Sequence, residues 1–318
     1  MINKYQDMAK VGDTRPSRFA ASASVILYFY LILGSIIVTV PVLIVLFTNR
    51  DILMDFVLNS TEQIDLLKYV GAMPNYILSN LSVYCMLLGV FIAVKFIHKR
   101  PFTSLITTKK RIQWNRFFIG FFVYGIYVSL GSVVDYFMAP EAYSITFDAS
   151  KFWIALPIIL IMTPIQACTE EFVFRGYVIQ SFGLKIKNGI ILSLISGALF
   201  TIPHLANPEI YASNKLGLLS TICMILNYFV VGVVLALVTI KTNSLEVAMG
   251  AHSVNNLICF LLVGYPDEVL ATNTVFYTSN FEPISSLISV IIVSILFYVT
   301  TAVLIREPKQ LVSDTGSI

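Results

Sequence analysis

Apolar runs of roughly 20 residues recur along the chain, at about 22–47, 76–97, 117–138, 155–184, 189–206, 217–240, 244–265 and 284–305. An α-helix rises about 1.5 Å per residue, so a run of that length crosses the ~30 Å hydrocarbon core of a bilayer. Inside a bilayer every backbone polar group must be bonded internally, which leaves the helix as the crossing element for such runs. Composition agrees: 57% of residues are hydrophobic and 12% charged, about half the charge of a soluble domain. A water-soluble domain, a disordered chain and a disulfide-stapled secreted module are excluded. The expected fold is all-α, a polytopic transmembrane helical bundle of about eight spans.

Charges between the runs orient them. Lys99, Arg100, Lys109, Lys110, Arg111 and Arg116 fall in one loop, Lys185 and Lys187 in a second, Lys241 in a third, and Arg306 and Lys309 in the tail. The intervening loops carry Asp51, Asp55, Glu62 and Asp65, then Glu141 and Asp148, then Glu209, then Asp267, Glu268 and Glu282. Under the positive-inside rule this alternation predicts both termini in the cytoplasm. The net charge of +3 reflects orientation and gives no reason to expect nucleic acid as a partner. We expect a cytoplasmic arm at 1–21, not a cleaved signal peptide, a membrane domain at 22–305 and a cytoplasmic tail at 306–318. With no sorting signal recognised in that tail, a bacterial plasma membrane is the expected location. Cys85, Cys168, Cys223 and Cys259 all lie in apolar stretches without a C-x-x-C pair and read as small buried residues.

Ionisable groups at membrane depth are costly and point to function. Three places stand out: Thr169-Glu170-Glu171-Phe172-Val173-Phe174-Arg175-Gly176, Phe200-Thr201-Ile202-Pro203-His204, and His252-Ser253-Val254-Asn255-Asn256. Glu171 and Arg175 are four apart on a helix and can form an ion pair. Glu170 points about 100° away from Glu171 and is left free. His252 and Asn256 repeat the spacing, as do Phe200 and His204. Glu170 and His204 are equally far from residue 187 in the basic turn, about 25 Å along their helices at ~1.5 Å per residue. His252 lies roughly 15 Å above the turn near 242 by the same rise. If the fourth and fifth helices project ~10 Å into the cytoplasm, which a fourth run of about 30 residues allows, the groups share one layer.

Two carboxylates, two histidines and an amide suit peptide hydrolysis. A desolvated carboxylate can serve as general base near neutral pH, and a neighbouring histidine can hold the water or pass on its proton. Histidine and asparagine on one face can donate to a developing oxyanion.

Taken together and in this order, Glu170-Glu171-x-x-x-Arg175, Phe200-x-x-x-His204 and His252-x-x-x-Asn256 resemble the CAAX protease and bacteriocin-processing (CPBP, or Abi) family, whose eukaryotic relatives are the type II CAAX prenyl endopeptidases. The resemblance covers about residues 150–260. It implies an intramembrane glutamate-type endopeptidase acting on a peptide or membrane-anchored protein, with Glu170 and His204 activating the water, His252 and Asn256 stabilising the oxyanion, and Glu171 and Arg175 supporting the site. No cofactor is expected, although two histidines and a carboxylate can also bind zinc, so a metalloprotease mechanism stays open; no H-E-x-x-H helix is present. Relatives trim prenylated C-termini, process bacteriocin or pheromone peptides, or confer bacteriocin self-immunity, and these residues do not choose among them or fix the oligomeric state.

Plainer readings stand beside these. The glutamates could be an ion-pair network, and His252 with Asn256 interhelical glue. Asn80, Gln166 and Asn227 read as interhelical donors, Asp135 as an outer-end residue near water, and Lys95 as a snorkelling side chain. Asn243 and Glu246 resemble a helix-capping pair. A transporter would show repeated halves with broken helices, which are not seen. A non-catalytic membrane partner remains the rival function.

Overall fold

The computed structural model describes residues 4–58, 70–268, 270, 272–279 and 281–305; Glu62, Asp65 and the tail at 306–318 lie outside them. Its helices are α1 (Pro16–Thr48), α2 (Arg50–Leu58), α3 (Ala72–Ile97), α4 (Trp114–Met138), α5 (Ala149–Phe182), α6 (Gly189–His204), α7 (Pro208–Lys215), α8 (Leu218–Thr242), α9 (Glu246–Leu261) and α10 (Pro283–Leu304). The fold class is the one expected, a polytopic helical bundle.

Among the described residues six helices, α1, α3, α4, α5, α8 and α10, are long and apolar enough to cross a membrane. The two remaining apolar runs differ from simple spans. The run at 189–206 is α6, bent by 82° into α7. The run at 244–265 is the 16-residue α9, about 24 Å long. Hydropathy cannot tell a helix facing lipid from one facing protein, and a run this short suits a buried core helix. Thirteen of the 16 residues of α9 are buried, against α4, α5 and α8.

Glycine allows that enclosure. A Cβ built on Gly120 of α4 would sit 2.0 Å from the Val247 carbonyl oxygen, and one built on Gly250 of α9 would sit 2.0 Å from that of Phe117. The two backbones therefore touch, as small residues permit in membranes. Gly250→Ala is expected to destabilise the bundle by about 1–3 kcal/mol, the usual cost of overpacking, measured by denaturant unfolding in detergent micelles.

Three apolar clusters hold the bundle. Leu105, Ile179, Ala236 and Met249 join the 98–116 loop to α5, α8 and α9. Tyr124, Leu235, Val247 and Phe297 join α4, α8, α9 and α10. Tyr76, Ile159 and Phe260 join α3, α5 and α9, with the Tyr76 hydroxyl 2.6 Å from Thr163 Oγ1. Outward-facing side chains such as Phe47, Phe122, Ile126, Leu219 and Ile295 are large and apolar, as lipid-facing residues should be. The chain is an integral membrane protein.

Some local expectations change. Within the N-terminal arm a 3₁₀ helix at Tyr5–Val11 docks on the bundle, with Tyr5 1% exposed and its hydroxyl donating to the Leu105 carbonyl. Asn243 and Glu246 do not cap one helix together. Asn243 Oδ1 accepts from the Tyr5 N–H at 3.0 Å, and Glu246 Oε1 accepts from the Gln113 N–H at 3.1 Å, at the start of α4. Asn80 donates to the Tyr76 carbonyl of its own helix, whereas Asn227 does bridge helices, to Ser286 at 2.7 Å. A small sheet was not expected: β1 (Tyr143–Ile145) pairs antiparallel with β3 (Phe276–Thr278), which pairs parallel with β2 (Val263–Gly264).

Candidate active site

α5 carries Gln166, Glu170, Glu171 and Arg175 on successive turns. Pro157 and Pro164 lie in the same helix and weaken its ladder, since proline has no N–H to donate. From Phe172 to Val178 the backbone winds as a π-helix, a distortion often found at functional sites. The expected pair survives it: Arg175 Nη1 lies 2.8 Å from Glu171 Oε1, and both side chains are fully buried.

Glu171 also accepts from His252 of α9, whose Nδ1 is 2.7 Å from the same Oε1. The arrangement is a buried Arg175–Glu171–His252 chain that fixes the imidazole. Its other nitrogen, Nε2, lies 3.7 Å from Glu170 Oε2. Glu170 is partly accessible, its side chain 13% exposed. Its Oε1 accepts from Gln166, and its Oε2 has no hydrogen-bond partner among the protein groups.

Asn256 enters from α9. Its Nδ2 donates to Gln166 Oε1 at 3.0 Å, and its Oδ1 accepts from Asn255 Nδ2 at 3.1 Å. A relay of amides thus runs from Asn255 through Asn256 and Gln166 to Glu170. The sequence suggests an interhelical donor at Gln166; it bridges to α9 as an acceptor and donates within its own helix to Glu170. Its position four residues before Glu170, on the same face, was the signal for a site role.

His204 stands at the end of α6. Its Nδ1 bonds the Phe200 carbonyl at 2.7 Å, which makes Nδ1–H the donor and leaves Nε2 with a free lone pair. The ring lies between Phe200 and Tyr228, with centroids 4.3 and 4.4 Å away. Tyr228 in turn donates to Glu209 and accepts from Asn207 at 2.9 Å. No hydrogen bond joins His204 to Glu170. Phe200 ties the layer together instead: its ring is 5.9 Å from that of His252, and the Arg175 guanidinium lies 4.1 Å above it. Tyr228, on α8, and Glu209, on α7, had no local pattern to reveal them, because only the packing of separate helices brings Tyr228 onto His204 and Glu209 onto Tyr228. All six expected residues thus lie in or against one polar layer, Glu170, Glu171, Arg175, His252 and Asn256 through direct bonds or close approach and His204 through Phe200.

Among the described residues no three His, Cys, Asp or Glu side chains gather as a metal ligand set.

Residues 151–258 match the family described as Type II CAAX prenyl endopeptidase Rce1-like. The motif core is similar to that family. The chain is also 37% identical over 182 residues to the uncharacterized protein YyaK of Bacillus subtilis (strain 168), covering 57% of this chain and 58% of that relative's length. No solved structure matches the chain. The family match spans α5 through most of α9, the segment that holds the polar layer, and bears out the resemblance read from the three motifs there.

Beyond that layer, burial pushes the Glu268 carboxyl up to about 8. The folded state therefore holds a proton that the unfolded chain releases near pH 4.5, and stability falls as pH rises from there to about 8. Glu268→Gln is expected to flatten that fall in melting temperature across the same interval, read from thermal melts in detergent.

Proposed function

We propose that the chain is a glutamate-type intramembrane endopeptidase that hydrolyses a peptide bond in a peptide or membrane-anchored substrate. The observation that carries this reading is the unshared Glu170 Oε2, with Oε1 bonded to Gln166 and His252 Nε2 3.7 Å away. A carboxylate so positioned can take a proton from a water as its oxygen attacks the scissile carbonyl carbon. The same carboxyl then returns the proton to the leaving amine as the carbon–nitrogen bond breaks. No metal takes part in this scheme.

The other residues support those steps. His204, with Nδ1 committed, offers Nε2 as an acceptor that can orient the water. Asn256 uses one amide hydrogen on Gln166 and keeps the second for the developing oxyanion. With Nδ1–H given to Glu171, His252 can donate from Nε2 only in its doubly protonated form. Its oxyanion role therefore requires the imidazolium, which lies between two carboxylates. Arg175 completes the charge balance around Glu171.

Which peptide is cut, and whether it is lipidated, is decided by screening. The purified chain, reconstituted in liposomes, is incubated with a library of prenylated and unmodified peptides, and new termini are read by mass spectrometry. Discrete cleavage lost in Glu170→Gln and in His204→Ala supports the reading. If wild type cleaves nothing while Glu170→Gln still rescues the phenotype of a deletion strain, a non-catalytic partner or immunity role takes its place.

A further inference from the structure

The last turn of α3 gathers three cations on one cavity. Lys95, Lys99, Arg100 and Pro101 line an open space of about 340 Å³. Lys95 and Lys99 are exposed, whereas Arg100 is 3% exposed. The backbone sets this geometry. Lys99 takes a left-handed φ of 55°, and the Arg100 N–H returns to the Val94 carbonyl at 3.1 Å, which ends the helix and turns Arg100 inward. The Asp13 N–H donates to the His98 carbonyl at 2.8 Å, bracing the turn against the N-terminal segment.

None of the three cations has a carboxylate partner among the described residues. Arg100 Nη1 donates to two neutral acceptors, the Met8 carbonyl at 3.2 Å and Gln180 Oε1 at 2.6 Å, and its buried Nε has no partner. A helix C-terminus favours cations, which accounts for the two lysines. It does not account for a buried guanidinium, which ordinarily takes an anion as partner. Burial lowers Arg100 to about 10, so it stays charged at neutral pH.

We propose that this cavity binds the phosphate group of an anionic membrane lipid. A guanidinium fork matches phosphate oxygens, and two ammonium groups add point charges. Lys95 sits in the last turn of a spanning helix and leads into the basic 98–116 loop, the place where the positive-inside rule puts the cytoplasmic lipid surface. Phe91 and Phe96 of the same helix end are exposed and offer an apolar surface to acyl chains. A soluble phosphate shares the headgroup chemistry but makes no use of that apolar flank.

The test uses the full chain in nanodiscs made of equal parts phosphatidylglycerol and phosphatidylcholine, then released into detergent for native mass spectrometry. Wild type is expected to retain phosphatidylglycerol over phosphatidylcholine, and K95Q/K99Q, altered only at exposed side chains, to lose about thirtyfold in that retention, as two surface lysines on anionic lipid should give. Millimolar inorganic phosphate is expected not to displace the lipid. Retention unchanged in K95Q/K99Q, or no preference between the two lipids, overturns the proposal. Displacement by inorganic phosphate alone overturns the lipid assignment in favour of a soluble anion.

Discussion

Glu170→Gln is expected to lower peptide cleavage by at least about 10²–10⁴-fold, the range that a positioned general base supplies, while the protein still folds and inserts. Glutamine keeps the size of the side chain and its carbonyl oxygen can still accept from Gln166, so the amide relay stays closed. What is lost is the oxygen lone pair that takes the proton, on a carboxylate oxygen with no hydrogen-bond partner among the protein groups. The fold is checked by an unchanged melting temperature and the chemistry by kcat on any peptide found in the screen. A variant that still cleaves within a few fold of wild type would remove Glu170 from the role of base. Glu170→Asp makes a useful companion: it retains the charge but withdraws it by one methylene, so partial activity is expected.

Arg175→Met carries the largest expected effect on stability. Arg175 and Glu171 are both fully buried and 2.8 Å apart, and breaking a buried pair from one side leaves an uncompensated charge, at a cost of about 3–5 kcal/mol. His252 would be left as the remaining partner of Glu171, so the imidazole that faces Glu170 should also shift. The double variant Arg175→Met/Glu171→Gln removes both charges together and is expected to recover much of the stability without recovering activity. Recovery is expected because a buried ion pair is often no more stable than a neutral replacement of similar shape. Activity stays low because Glu171 no longer fixes His252. Unfolding in mixed micelles measures the first quantity and cleavage measures the second. If the double variant is as unstable as the single one, Arg175 acts mainly through its packing on Phe200.

The three polar motifs were legible because each lies within one helix, where spacings of three and four fix a shared face. The Glu171–Arg175 pair follows from that rule even though the helix changes to π winding immediately after Glu171. Membrane-crossing length was legible for six helices, since apolar run length maps directly onto bilayer thickness. Elements whose role depends on neighbours were not. α9 has a run like the others, yet its burial comes from Gly120 and Gly250 meeting the opposite backbones. Tyr5 lies in a polar arm and is buried because Asn243 and Leu105, far along the chain, receive it. Tyr228 reaches His204 from another helix, and Gln166 was hidden by the ordinariness of an amide in a membrane helix. The short strand at 143–145 pairs with that at 276–278 across more than a hundred residues, which no local pattern records.

The most direct test of the central claim, a Glu170-activated water without a metal, is cleavage by the reconstituted wild type before and after exhaustive chelation, with Glu170→Gln alongside. Full activity after chelation together with loss in Glu170→Gln is the result expected. Activity that disappears with the chelator and returns on adding zinc would contradict it.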